Sequence, residues 1–336
     1  MSTTEGLEAP LVTILVPCYQ YGRYLRNCLE GIFAQTIIDQ ISVEIIVIND
    51  ASTDNTDAVM REFTDPRIHY IRHDRNRGLC YTLSEGLTLA RGKYFTRIDA
   101  DDRWKPHFLE VTLPELERYP DVALVFGDVA HVDEQGNIIN EESTIARSLE
   151  VHGDRDFKGD RFLSQVGECT IGTAGVIGRT EAWRKGLPFP KCFTWESPSD
   201  WWLNIMAIRD ADVYYKKGIL GEYRMHSASM THQQGSVDAV DIEQTTIGAI
   251  NEAFSGVNLK REHRLARRMI YANAWTTLGN INFEKNRGKD SRRCYANAVL
   301  WRPDYVLRKS IARHFLSSLL PRKLYEKIKK GVKKMF

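Results

Sequence analysis

The sequence predicts an α/β fold, a mixed and mainly parallel sheet with flanking helices, followed by a C-terminal helical region. Three observations predict it. Short apolar runs alternate with segments of helical spacing through the first half of the 336 residues. Polar segments follow several of these runs, where parallel sheets place their ligands. After Gly235 the apolar residues recur at helical spacing.

Leu11-Val12-Thr13-Ile14-Leu15-Val16 reads as the first strand, ended by Pro17. Leu25, Cys28, Leu29, Ile32 and Phe33 then mark a helix by their spacing. Val43 to Ile48 is a second buried strand, running into a loop rich in helix-capping residues, Asn49 to Asp54. A third strand is expected over Arg67 to Ile71, a helix from about Leu79 to Ala90, and a fourth strand over Lys93 to Ile98. Helix Pro106 to Tyr119 and strand Val122 to Phe126 complete this half. A hairpin is expected from about Asp128. Strands follow at Ala174 to Ile177, Asp212 to Lys216 and Ile219 to Met225. Ile242 to Phe254, Glu262 to Phe283 and Ser291 to Leu300 are amphipathic helices. The expected division is residues 1–235 as an α/β domain and 236–336 as a helical extension with a basic amphipathic tail.

With 43% hydrophobic and 27% charged residues, the composition is that of an ordinary soluble globular protein. The formal charge of +2 hides an asymmetry. Val306 to Phe336 holds ten Lys/Arg against one acid, so this tail carries +9 and the remainder −7. A mildly acidic body argues against a nucleic-acid-binding core and places any anionic partner at the C-terminus. The tail's apolar and basic faces fit an anionic membrane surface, and equally a solvated helical face. Six scattered cysteines without a Cys-x-x-Cys pair are expected as free thiols in a reducing compartment. Met1 to Pro10 carries two acids and no apolar run, and no stretch approaches the roughly 20 apolar residues of a membrane span. The expected location is cytoplasmic, with peripheral attachment to the inner face of the membrane through the tail.

The richest stretch is Asp99-Ala100-Asp101-Asp102, at the end of the fourth strand. Three carboxylates in four residues repel one another unless a cation is shared, and Asp-x-Asp spacing lets two of them face one hard metal. Mg²⁺ prefers one or two carboxylates plus phosphate oxygens, so the pattern points to a metal–diphosphate substrate. Read as a solvated acidic turn capping the next helix, the same stretch needs no ligand. No Gly-x-Gly-x-x-Gly follows the first strand and no Gly-x-x-x-x-Gly-Lys-Ser/Thr occurs, which argues against dinucleotide and P-loop sites.

Taken in order, these motifs resemble glycosyltransferase family 2, inverting enzymes of GT-A (Rossmann-like) fold that use nucleotide sugars. The resemblance runs from Leu11 to Met230. It rests on Val16-Pro17-Cys18-Tyr19, Ile48-Asn49-Asp50-Ala51-Ser52-Thr53-Asp54, Asn76-Arg77-Gly78, Ala90-Arg91-Gly92-Lys93-Tyr94, the Asp99 to Asp102 stretch and Tyr223-Arg224-Met225-His226. It implies that Pro17 and Tyr19 shape a nucleoside pocket, that Asp50 receives hydrogen bonds from the base, and that Asp99 receives them from a sugar. It implies Asp101 as the ligand of Mg²⁺ or Mn²⁺, Arg224 and His226 over the diphosphate with His226 a further metal ligand, and Asp200 as the catalytic carboxylate. Asp50 and Asp200 also have purely structural readings, as a helix cap and as a helix-dipole charge.

The chemistry is coherent with those roles. A sugar hydroxyl is a poor nucleophile at neutral pH, so a carboxylate takes its proton as the new bond forms. One base and one metal site suffice for a one-step inverting displacement, without the paired carboxylates of a retaining hydrolase. The expected donor is a UDP-sugar, and the expected acceptor is a glycan or lipid-linked saccharide in surface polysaccharide synthesis. The chain departs from the family pattern at Ser199, where Glu precedes the catalytic Asp, at Leu83-Ser84, where Arg-Asn is common, at Met206 and at Gln20. A catalytically silent nucleotide-sugar-binding protein and a metal-dependent nucleotidyltransferase are the other classes these features admit.

Overall fold

The computed structural model describes residues 9–140, 155–193, 198–229, 239–257, 261–307 and 315. The chain divides into two compact units, Met1–Gly235 and Ser236–Phe336.

The first unit is built on a ten-stranded mixed sheet. Its first half alternates as the sequence requires: β1 (Val12–Cys18), α1 (Gly22–Phe33), β2 (Val43–Asn49), α2 (Thr56–Met60), β3 (Ile68–Arg72), α3 (Leu79–Leu89) and β4 (Tyr94–Arg97). β5 (Arg103–Trp104), α4 (Phe108–Arg118), β6 (Val122–Val132) and β7 (Ile138–Asn140) follow. The second half holds β8 (Phe157–Gly159), α5 (Phe162–Gly167), β9 (Val176–Arg179), α6 (Thr180–Arg184), α7 (Ser199–Ala207) and β10 (Asp212–Arg224). β1 and β2 are buried along their whole length, because parallel strands lie under helices on both faces. One apolar core joins their side chains with Leu25, Leu29 and Ile32 of α1 and Phe108, Leu109 and Leu116 of α4.

Strand order is β3-β2-β1-β4-β9-β6-β10-β5. β1 to β4 run parallel, and β9 is antiparallel to both β4 and β6. β6, and β10 parallel to it, therefore point the same way as β1 to β4. Consequently the C-terminal ends of β1, β2, β4 and β10 share one edge of the sheet.

The structure departs from the sequence reading in several places. β10 is one strand rather than two: register shifts around Lys216 to Gly218 form a bulge that takes up the polar residues which read as a turn. Thr173–Gly175 is a 3₁₀ turn, and the strand begins only at Val176. That turn packs against β10 so closely that a Cβ on Gly221 would lie 1.9 Å from the carbonyl oxygen of Ala174. β5 and β8 were not foreseen. Each is two or three residues long and exists through pairing with β10, which no local pattern announces. The expected hairpin is present as β6 and β7, closed by a turn in which Asp133 Oδ1 accepts from the backbone N–H of Gln135 and Asn137.

The second unit holds α8 (Ala239–Ala253), α9 (Arg261–Glu284) and α10 (Gly288–Trp301). Arg293 of α10 donates twice to the Glu243 carboxylate of α8, each bond 2.7 Å long. Tyr271 and Trp301 stack with ring centroids 4.1 Å apart. The basic tail lies outside the described residues, apart from Val306, Leu307 and Phe315. Among the described residues no helix is long and apolar enough to cross a membrane. The six cysteines are free, with Cys18, Cys28 and Cys294 buried.

Candidate active site

The polar segments at the strand ends converge as the topology demands. After β4 the three carboxylates separate, and each is compensated differently. Asp99 accepts two bonds from Arg97, Nε at 2.8 Å and Nη2 at 2.9 Å. Asp102 accepts from the backbone N–H of Arg224 at 2.9 Å. Asp101 places Oδ2 3.0 Å from His226 Nε2, just beyond the end of β10. Mutual repulsion is thus relieved by residues of two strands, β4 and β10.

Burial pushes the Asp99 carboxyl above its ordinary range, with Arg97 opposing, and burial beside Asp101 and Asp99 raises Asp102 well above it. His226 is held between aromatic rings: Tyr21 meets it edge-on at 5.5 Å and Tyr24 lies 4.9 Å away. Among the described residues His226 Nδ1, Asp102 Oδ2 and Arg97 Nη1 are buried without a hydrogen-bond partner.

Asp101 and His226 suit a divalent cation. Neighbouring ligands of an octahedral ion, each about 2.1 Å from it, lie about 3 Å apart. That is the spacing found here, and a hard carboxylate oxygen beside an imidazole nitrogen is a donor set that Mg²⁺ or Mn²⁺ accepts. Among the described residues no cluster of three or more His, Cys, Asp or Glu could hold a metal.

Arg224, which the resemblance puts over the diphosphate, is bonded to the protein itself. Its Nε donates to the Asp101 carbonyl at 2.9 Å, Nη1 to the carbonyls of Asp133 and Glu134, and Nη2 to Asn27 Oδ1 at 3.2 Å. Every guanidinium nitrogen is already engaged with protein and the residue is buried, so its geometry makes it a clamp that fixes Asp101 against the β6–β7 turn.

Asp50 lies beyond the end of β2 and is buried. Its Oδ1 accepts from His73 Nδ1 at 2.7 Å and from the backbone N–H of Arg77 at 2.8 Å, while Oδ2 accepts from the N–H of Gly78 at 2.8 Å. Gly78 has φ of +86°, a conformation that brings its N–H round to the carboxylate and that suits glycine. These bonds tie Asp50 to the Asn76-Arg77-Gly78 loop rather than to α2, whose N-terminus carries no side-chain cap. Pro17 is buried within β1 opposite Ile48, so it directs the chain into the loop. Tyr19, just past the strand, is 44% exposed. The neighbouring Gln20 and Ala51 have φ near +60°, and Gln20 N–H donates to Ser52 Oγ, which ties the β1 and β2 loops together.

Asp200 stands in the first turn of α7, half-buried. It has no hydrogen bond or ion pair among the described residues, and its negative charge is felt at Arg97 and Asp99.

Three contributors were missed by sequence reasoning: His73, Glu85 and Arg97. His73 and Arg97 fall at the C-terminal ends of β3 and β4, and position at that edge was the available signal. Glu85 sits mid-helix in α3, where nothing local distinguishes it.

The family profile described as Glycosyl transferase family 2 matches residues 13–180, half of the chain. Among curated proteins, the Escherichia coli chondroitin synthase is 32% identical over 135 residues, 40% of this chain and 19% of that protein. An uncharacterized glycosyltransferase of Methanocaldococcus jannaschii is 33% identical over 138 residues, 40% of this chain and 47% of the other. The chain thus spans less than half the length of these relatives. An uncharacterized glycosyltransferase of Nostoc sp. aligns over more, with 26% identity covering 70% of this chain and 73% of its own. Among solved structures, S. aureus TarS 1-349 in complex with UDP-GlcNAc superposes with TM-score 0.54 at 15% identity, covering 88% and 91% of the two chains. The mannosyltransferase PcManGT from Pyrobaculum calidifontis, in complex with GDP-Man and Mn²⁺, gives 0.53 at 15% identity, covering 93% and 86%. Those two likenesses show a shared GT-A fold. With the profile match over half its length, the chain belongs to glycosyl transferase family 2.

Proposed function

We propose that this chain transfers a sugar, with inversion, from a nucleoside-diphosphate sugar to a hydroxyl of a glycan or lipid-linked acceptor. The observation that carries the reading is the Asp101–His226 pair, 3.0 Å apart at the sheet edge shared with the Asp50 loop. Asp101 and His226 would hold Mg²⁺ or Mn²⁺, with diphosphate oxygens and water completing the shell. Bound there, the ion neutralises charge developing on the leaving diphosphate. Asp50 receives an N–H of the base and Tyr19 offers its ring to it, while Asp99, fixed by Arg97, faces a sugar hydroxyl. Asp200 removes the proton of the attacking hydroxyl as the bond forms. Arg224 keeps Asp101 in register and touches no substrate. The similarity to a chondroitin synthase and to structures solved with UDP-GlcNAc and GDP-Man supports a nucleotide-sugar donor, and UDP-sugars are the first choice.

Donor consumption measured with a panel of UDP-, GDP- and dTDP-sugars, with Mn²⁺ or with EDTA, tests this. Turnover of one donor that EDTA abolishes is the expected result. Binding of a donor without turnover, even with glycan and lipid-linked acceptors present, would instead make the chain a binding protein.

A further inference from the structure

His73 stands between two carboxylates and connects the proposed nucleoside pocket to α3. Its Nδ1 lies 2.7 Å from Asp50 Oδ1 and its Nε2 lies 2.7 Å from Glu85 Oε2. The ring is buried, with 4% of the side chain exposed, against 6% for Asp50 and 28% for Glu85. A neutral imidazole has one N–H, so it can serve only one of these oxygens, and its other nitrogen would point a lone pair at the second. An imidazolium serves both.

We infer that His73 is a positioning residue held as an imidazolium by Asp50 and Glu85, and that it locks the Asp50 carboxylate in the orientation that receives the base of the donor nucleotide. This rests on the reading of Asp50 as the base-binding carboxylate. With His73 and the Arg77 N–H on Oδ1 and the Gly78 N–H on Oδ2, one lone-pair direction of Oδ2 is left for a ligand N–H. When the imidazolium loses its proton, one tautomer leaves Asp50 without its side-chain donor and the other leaves Glu85 without one.

The other charged or titratable groups around the ring are accounted for. Tyr81 of α3 meets it edge-on at 5.7 Å, and the Arg77 guanidinium is stacked over Tyr81 rather than on the imidazole. Arg72 donates to the His73 carbonyl and pairs with Asp57. Burial works against the charge on His73, and the hydrogen bonds to Asp50 and Glu85 more than offset it, so its pKa is raised above the ordinary histidine value. The proton is therefore held to higher pH than an ordinary imidazole holds it.

The test is calorimetric titration of UDP, and separately GDP, into the full chain with Mn²⁺ from about pH 6 to about pH 9.5. It is run on wild type, Glu85→Gln, His73→Gln and Asp50→Asn. Ionisation of the nucleotide and metal is common to all four, so differences between them report the protein. Whichever nucleotide binds wild type should weaken along an alkaline limb, which moves to lower pH in Glu85→Gln and is missing in His73→Gln. His73→Gln should bind about tenfold more weakly near neutrality, with donor KM raised and kcat little changed. Superposable limbs in wild type and Glu85→Gln overturn the inference. Wild-type affinity in Asp50→Asn, or no binding of either nucleotide to wild type, overturns the pocket reading instead. Nitrogen-15 NMR of the free wild-type protein gives an answer independent of any variant's folding. Both His73 nitrogens should carry protons at neutral pH, and a neutral ring there also sinks the idea.

Discussion

Asp101 Oδ2 and His226 Nε2 lie 3.0 Å apart although 125 residues separate them in the chain. The first is fixed by the end of β4 and the second by the end of β10, two strands that point the same way only because β9 runs antiparallel between β4 and β6. In the proposed reading each residue supplies half of a cation site.

Removing either half should therefore remove metal response. Asp101→Ala and His226→Ala are expected to lower turnover by on the order of 10²-fold or more, the loss typical when charge stabilisation in the transition state is removed. Mn²⁺ binding followed by electron paramagnetic resonance checks the cause. Unchanged Mn²⁺ affinity in both variants would place the ion elsewhere.

Asp200→Asn keeps the size of the side chain and removes its basicity. kcat should fall by about 10² to 10⁴, with donor affinity unchanged, because a general base acts in the chemical step. Pre-steady-state turnover alongside donor titration separates the two quantities. Near wild-type kcat would mean that another group takes the proton.

Arg224→Met would strip donors from the carbonyls of Asp101, Asp133 and Glu134 in a buried setting. A loss of about 3 kcal/mol is expected in urea unfolding. Arg224→Lys should recover little, since an ammonium cannot reach the separate partners that the planar fork spans.

Glu44, buried in β2, accepts from the Thr13 hydroxyl at 2.5 Å, the Arg91 N–H at 2.7 Å and Arg91 Nε at 2.8 Å. Burial opposes its charge, and these donors still hold the carboxyl below its ordinary value. A depressed folded value gives stability that is present above the unfolded carboxylate range and is lost as pH falls through the folded one. Glu44→Gln should cost about 1.5–3 kcal/mol near neutral pH, and the gap from wild type should close in acid. Urea midpoints at descending pH read it.

Gly221→Ala would drive a methyl into the Ala174 carbonyl, 1.9 Å from an ideal Cβ. Neither backbone can retreat without disturbing β10, so a loss of several kcal/mol is expected by thermal or urea unfolding. A variant as stable as wild type would show that the 3₁₀ turn yields freely.

Local chemistry determined much of this protein. Short, β-branched apolar runs bounded by turn residues fit strands buried on both faces, which is why β1 and β2 were legible, and α9 and α10 were legible from their helical spacing. Asp101 was legible from the Asp-x-Asp spacing at a strand end, whereas Asp50 and Asp200 were singled out through the family resemblance. Tertiary structure decided what each carboxylate does. That Arg224 joins Asp101 to the β6–β7 turn depends on carbonyls of a hairpin about 90 residues away. That His73 joins Asp50 to Glu85 depends on α3 lying beside the end of β3. β5 and β8 exist only because β10 offers them an edge. A hydrogen bond's partner is set by where strands and helices bring chain together, and sequence spacing carries no record of that distance.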